Sequence, residues 1–374
     1  MKLTKPAAIA KQGNLTLLTT TLKVSDLLID NFYSIERLDP ENANEKGYQR
    51  LLNKGRAKKL ADYILVGQDS KDVFLPTSVF MATDKNIDFD NQNNTITIDT
   101  DLICPFSIVD GQHRVEGLRI ADEQDSRVKE FEIPVNIAIN LDEISQMCHF
   151  LIVNTTQKTV DESIAQRIRA RLTDLIDTED TPKLPKWIDR LVQRGEDAKA
   201  LAFVDYLNSI EASPWKNKIK MANGDSKEGV VNQQSFVKQI KKYVITFDNP
   251  IFSEEVQKQH KIFLNYWIAI SNIIQDPEAT ILYKYNGVVL FCKFFTPFMQ
   301  KMVNMSDYKV QTMTNILSSV FDSSEGEATG VGHVDFWKKG GKASGLNESA
   351  LSKICSEMIK ALHSTGGTSI SKEV

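Results

Sequence analysis

A mixed α/β domain followed by a mostly α-helical one is what the sequence predicts, and three observations carry that expectation. Apolar residues alternate with period two through "EIPVNIAIN" (132 to 140), with short β-branched runs before it,. They recur at helical spacing through "RAKKLADYILV" (56 to 66),. Beyond residue 141 the helical period takes over,. At 374 residues the chain can bury two cores,. We read a first domain over 14–140, a helical domain over 141–362 and a flexible tail over 363–374.

In 56–66, Ala57, Leu60, Ala61, Ile64 and Leu65 fall on one helical face and leave Lys58, Lys59 and Asp62 to water,. "VFLPTSVFMA" (73–82) and "NTITIDT" (94–100) have strand composition, and the Asn/Asp-rich "TDKNIDFDNQN" between them has turn chemistry,. "CPFSIVD" (104–110) is a third short strand, and "QHRVEGLRIADE" after it sets Val115, Leu118 and Ala121 on one helical face,. In the second domain, helices are expected over 142–153 and through "DESIAQRIRARLTDLI". Others follow over 185–194, 196–209, 233–246, 253–275, 286–303, 307–320 and 347–362,. "DSSEGEATGVGH" (322–333) reads as a loop,.

Composition is that of a globular protein, with 41% hydrophobic and 25% charged residues,. A net charge of −4 gives no diffuse attraction for nucleic acid, so DNA contact requires a local basic face,. No signal-peptide core and no long apolar run is present, and a cytoplasmic protein without membrane contact is expected,. The four cysteines are widely spaced, with no Cys-x-x-Cys pair and no nearby His pair, which argues against both a zinc site and a disulfide framework,. His149, His260 and His363 lack partners at ligand spacing, so no metal site is expected,.

Chemistry concentrates in "IVDGQHRVEGLRI" (108–120), where Asp110, Gly111, Gln112, His113 and Arg114 stand between a strand and a helix. Such a turn leaves the first helical N–H groups free at the positive end of the helix dipole, which suits an anion. Gly111 lets the backbone approach a phosphate, Arg114 can fork onto two of its oxygens, and Gln112 and His113 add donors. Asp110 has several open roles: cap, organiser of Arg114, general base, or ligand to a nucleotide-borne Mg²⁺.

The motif and its setting resemble the DGQHR-motif family that includes DndB, associated with bacterial DNA phosphorothioation. An Arg-containing helix before "LPTSV", the "EIPVNI" strand and "FLIVNTTQKTV" follow that family's order over about residues 45 to 240. The strand, turn and helix also resemble the Gly-x-x-Arg box of ParB/sulfiredoxin-like folds. The chain departs from ParB in lacking its Glu-Arg-Arg run. The resemblance implies an α+β fold of that type, with Gly111, Gln112, His113 and Arg114 as a phosphate cradle. It also implies DNA and other proteins of a modification system as partners.

"NTTQK" brings Asn154, Thr155, Gln157 and Lys158 to a helix junction, either as part of the same pocket or as a plain connection,. Arg167, Arg169 and Arg171 form one basic group. Lys216, Lys218 and Lys220 form another, and in an extended segment these three would share one face toward DNA,. A further group runs from Arg50 through Lys54, Arg56, Lys58 and Lys59. "GHVDFWKKGGKASG" (332–345) reads as a loop pinned by its two aromatics.

These readings favour a DNA-associated regulator or accessory factor with a phosphate or nucleotide site, in which Arg167, Arg171, Lys216, Lys218 and Lys220 contact DNA. A homo-oligomer is compatible with it. The alternative is a nucleotide-hydrolysing enzyme using a Mg²⁺ nucleoside triphosphate with Asp110 as catalytic base. A nuclease ranks below both, since only one carboxylate sits at the motif.

Overall fold

The computed structural model describes residues 1–39, 47–157, 161–175, 184–224, 229–274 and 280–364. The described chain forms two compact units, the first over Met1–Ile164 together with Leu184 and Pro185, the second over 165–175 and from Lys186 onward. The first takes in a strand before residue 14 and a helix beyond residue 140.

The strands of the first unit are β1 (Lys2–Gln12), β2 (Leu15–Lys23), β3 (Tyr33–Ser34), β4 (Val79–Ala82), β5 (Phe89–Asp90), β6 (Thr95–Asp99), β7 (Phe106–Asp110) and β8 (Glu132–Ile139). Its helices are α1 (Val24–Leu27), α2 (Lys54–Ser70), α3 (Thr100–Ile103), α4 (Gln112–Asp122) and α5 (Glu143–Gln157). One mixed sheet runs in the order β3-β7-β4-β8-β2-β1-β6-β5. Strand β1 pairs through Lys2–Pro6 with β6 and through Ala7–Gln12 with β2, while β2 pairs with β8 along Thr16–Lys23. The period-two reading of β8 is realised: Ile133, Val135, Ile137 and Ile139 are buried together with Leu18, Leu22, Met81 and Ile108.

Helices α2 and α4 are neighbours. Their approach depends on Gly117, where a Cβ would lie 2.9 Å from Leu60 Cδ2 and 3.1 Å from the Ala57 carbonyl oxygen. Ala57, Ala61 and Ile64 form the buried face of α2, which ends at Lys71 in the left-handed region (φ 57°).

The second unit contains most of α6 (Glu162–Leu175), then α7 (Lys186–Arg194), α8 (Glu196–Ser209), the short parallel pair β9 (Ile219–Lys220) and β10 (Val231–Asn232), and α9 (Gln233–Tyr243). It continues with α10 (Val256–Ile273), α11 (Tyr285–Val303), α12 (Val310–Phe321), α13 (Ser324–Thr329), α14 (Val334–Trp337) and α15 (Glu348–Ser364). Its core is aromatic, with Trp267 at the centre of Trp215, Phe236, Phe263, Tyr266 and Phe291.

Several sequence expectations need correction. Strand β4 covers only the end of 73–82, because Pro76 and the polar residues after it do not pair. The loop expected over 322–333 contains α13, capped by the Ser323 hydroxyl accepting from the Gly326 N–H at 3.0 Å and closed by Gly330 at φ 76°. The polar break expected over "NTTQKTV" (154–160) does not begin at its first residue, since α5 continues to Gln157; residues 158–160 lie outside the described residues. Helix α15 runs through His363 to Ser364; the rest of the expected tail lies outside the described residues. The aromatic pin holds: Phe336 and Trp337 are buried, and the Trp337 indole N–H donates to the Val331 carbonyl at 2.8 Å.

Candidate functional site

Strand β7 ends at Asp110 and α4 begins at Gln112, so the turn consists of Gly111 alone. Gly111 has φ 107° and ψ 10°, a region that favours glycine,. Its carbonyl accepts the main-chain N–H groups of Arg114 (2.8 Å) and Val115 (3.1 Å). No side chain caps α4. The Gln112 and His113 N–H groups, which precede those of Arg114 and Val115, have no side-chain cap, an arrangement that suits an anion at the helix start,.

Arg114 folds back over this turn. Its Nη2 donates to Asp110 Oδ2 at 2.8 Å, and a Cβ on Gly111 would meet Nη2 at 3.1 Å, Nε at 3.3 Å and Val79 Cγ2 at 3.2 Å. Of the roles open to Asp110, the geometry realises the organiser: its carboxylate holds the guanidinium and does not cap the helix. Fixing a long side chain beforehand removes part of the entropy that ligand binding would otherwise cost.

Gln112 and His113 do something the sequence did not suggest. Gln112 is buried, and its Nε2 donates to Gln49 Oε1 and to the Arg50 carbonyl, both at 3.2 Å. Gln49, also buried, donates to the Ile108 and Val109 carbonyls at 2.6 and 2.8 Å. His113 Nε2 accepts the main-chain N–H of Asn53 at 3.0 Å, and the Asn53 side chain caps α2 by accepting from the Arg56 N–H at 3.0 Å. The middle of the motif thus ties the start of α2 to the start of α4. Asn53 had a legible signal as a cap before an amphipathic helix, whereas nothing near Gln49 announced its role.

The two helix starts are positive. Arg50, Lys54, Arg56, Lys58 and Lys59 make no ion pair among the described residues, although Lys54 adds to the field of Glu116, which is itself paired with Arg119. Burial, then Arg50 and Arg56, push the His113 imidazolium down to about 4, against a smaller opposing effect of Asp110,. The ring is therefore neutral at physiological pH, with Nε2 free to accept. The unfolded chain takes up this proton first, near the ordinary 6.5. The stability tied to the neutral ring is complete above that value and is lost as pH falls toward about 4,. In an NMR titration the His113 ring resonances should stay at their neutral positions down to about pH 5; a midpoint near 6.5 would contradict the Asn53 contact.

The other expected residues are dispersed. Asn154 bonds within its helix, donating to the Phe150 carbonyl at 2.9 Å. The side chains of Thr155 and Gln157, and all of Lys158, lie outside the described residues. Arg167 is nearly buried and forks onto Asp205 at 2.5 and 2.7 Å, with Nε on Gln233. Arg169 pairs with buried Asp197 at 2.5 Å. Arg171 is half-buried and already engaged. Lys216 pairs with Glu211, and Lys218 donates to the Pro214 carbonyl at 2.9 Å and lies 4.3 Å from the Tyr283 ring centroid. Only Ile219–Lys220 is extended there, and Asn217 sits at φ 57°, so the three lysines do not share the expected face. Internal partners thus absorb Arg167, Arg169, Lys216 and Lys218, whereas Lys220 and the basic group from Arg50 to Lys59 make no ion pair among the described residues.

Among the described residues no group of three or more His, Cys, Asp or Glu side chains is placed to hold a metal ion. No helix of the described residues is long and apolar enough to cross a membrane. The phosphates of a nucleotide fit the free amides and Arg114. Its Mg²⁺ would find only Asp110 at the turn, a carboxylate committed to Arg114.

Comparison with curated proteins and with solved structures returns no match. A family model described as DndB, DNA-sulfur modification-associated, matches residues 5–171. The segment that carries the whole DGQHR turn and both helix starts is therefore similar to the DndB family of DNA-sulfur modification-associated proteins.

Proposed function

We propose that this protein is a regulator or accessory factor of a DNA-phosphorothioation system, and that its first unit works by binding phosphate at the DGQHR turn. The observation carrying the second part is the preset Arg114 guanidinium, held by Asp110 beside the uncapped amides of α4. A phosphate seated there would receive main-chain N–H donors along the dipole and a charge-assisted bond from Arg114. DNA and the other proteins of the modification system are the partners this reading implies. The unpaired cations of α2 offer DNA a better contact than the internally paired residues of the second unit.

A binding role is favoured over nucleotide hydrolysis by the state of Asp110. One oxygen of this carboxylate already accepts from the Arg114 guanidinium, so it is not presented to a water as a general base must be,. Nothing else at the turn is equipped to take a proton from water, since the His113 acceptor nitrogen is occupied by Asn53.

Isothermal titration of inorganic phosphate and of ATP into the full chain tests this. Arg114→Ala should weaken both by about 10- to 100-fold, the worth of a charge-assisted hydrogen bond, with the circular dichroism unchanged. An unaltered affinity in the folded variant would remove the turn from the binding site.

A further inference from the structure

We propose that the phosphate site is double: Arg50 and Arg56 form a second anion subsite beside the DGQHR turn, Gln112 and His113 are the residues that position it, and the preferred ligand carries two linked phosphoryl groups. This rests on the reading that the turn itself binds phosphate.

The two segments carrying cations are joined by specific bonds. The Arg50 carbonyl accepts from Gln112, and the main chain at Asn53 donates to His113, so both ends of the stretch leading into α2 are anchored to consecutive residues of α4. Gln49 extends the anchor into the sheet through the carbonyls of β7. The Gln112 amide is committed to this use. Both its partners are acceptors, so only Nε2 can face them, and Oε1 is left buried with no partner among the described residues. A buried acceptor left empty is tolerated where the opposite orientation would lose two bonds.

What the anchor presents is positive charge. Arg50 is half-buried and Arg56 exposed, neither has a carboxylate partner among the described residues, and both act on the His113 ring. A guanidinium drawn partly out of water gains most from a bound anion. His113 contributes no charge of its own and serves as a neutral strut between the α4 start, with Arg114, and the α2 start, with Arg50 and Arg56. One phosphoryl group at the turn and a second linked to it would meet both sets of donors.

Calorimetry on the full chain with orthophosphate and pyrophosphate separates the parts. The wild type should bind pyrophosphate at least about tenfold more tightly than orthophosphate, from the added charge-assisted bonds. Arg50→Ala with Arg56→Ala should erase that margin and leave orthophosphate affinity intact. Gln112→Met, which keeps the volume and removes the donor, should shrink the margin in the same direction, a change in ligand preference that mere loss of stability would not produce. If Gln112→Met fails to fold, the arginine pair, which is not in the core, decides alone. A margin that survives the arginine substitutions overturns the second subsite and leaves the turn standing. Orthophosphate binding insensitive to Arg114→Ala, or no binding of either probe by the wild type, overturns the turn and the second subsite with it.

Discussion

Valine at position 111 should cost the first unit about 3 kcal/mol and abolish measurable phosphate affinity. Two independent effects add. A β-branched residue at φ 107° is strained in its backbone by roughly 1–3 kcal/mol,. Its Cβ would also press on Val79 and on the Arg114 guanidinium at 3.1 to 3.3 Å, where overpacking costs about 1–3 kcal/mol. The guanidinium is the softer neighbour and should yield, which takes it off Asp110. The denaturant midpoint and phosphate titration of Gly111→Val should therefore fall together. A variant with wild-type affinity would show that Arg114 needs no fixed seat, and one with wild-type stability would show that the turn is not strained.

Trp267→Ala should destabilise the second unit by about 3–5 kcal/mol, the usual cost of deleting a large core aromatic. The indole lies edge-on to Trp215 at 4.9 Å between centroids and contacts Phe291 at 5.7 Å, and it is fully buried. Its Nε1 has no hydrogen-bond partner among the described residues, so truncation orphans no acceptor and the loss is one of packing and cavity,. Trp267 belongs to a cluster of buried apolar residues within the second unit, while those around the β-sheet form a cluster within the first. Phosphate binding by the first unit should accordingly persist where the second has begun to melt. A loss under about 1 kcal/mol would mean that the surrounding rings close the void, and it would contradict the close packing described.

The helices of the second unit were legible because their apolar residues keep one period over many turns. The expected 185–194 and 196–209 differ from α7 and α8 by one residue at most. Helix α13 was not legible, since its "SEGEAT" has no apolar stripe and only Ser323 and Gly330 mark its ends. The β1–β2 hairpin escaped for a related reason. Threonines fill much of β2, exposed residues fill most of β1, and the turn signal at Gly13 lacked a convincing strand before it. At the site, the exit from β7 into α4 was readable from the apolar run and the glycine. The inward course of Gln112 was not, because its partner Gln49 is 63 residues away and a glutamine gives no local sign of which way it faces. The basic stretches misled in the same manner: Arg167 looks free in the sequence, and only folding brings Asp205 to it.

The pairing of β2 with β8 and of β1 with β6 also sets a timetable for synthesis. Thr16–Lys23 must wait for Glu132–Ile139, and Lys2–Pro6 for Thr95–Asp99. At a synthesis rate of about 5–20 residues per second, the first two strands spend on the order of ten seconds with no partner but each other. Pairing across such separations is slow to nucleate and leaves strand edges open meanwhile. Until β8 has emerged, the vulnerability of the newborn first unit to aggregation lies in the order in which its strands are made.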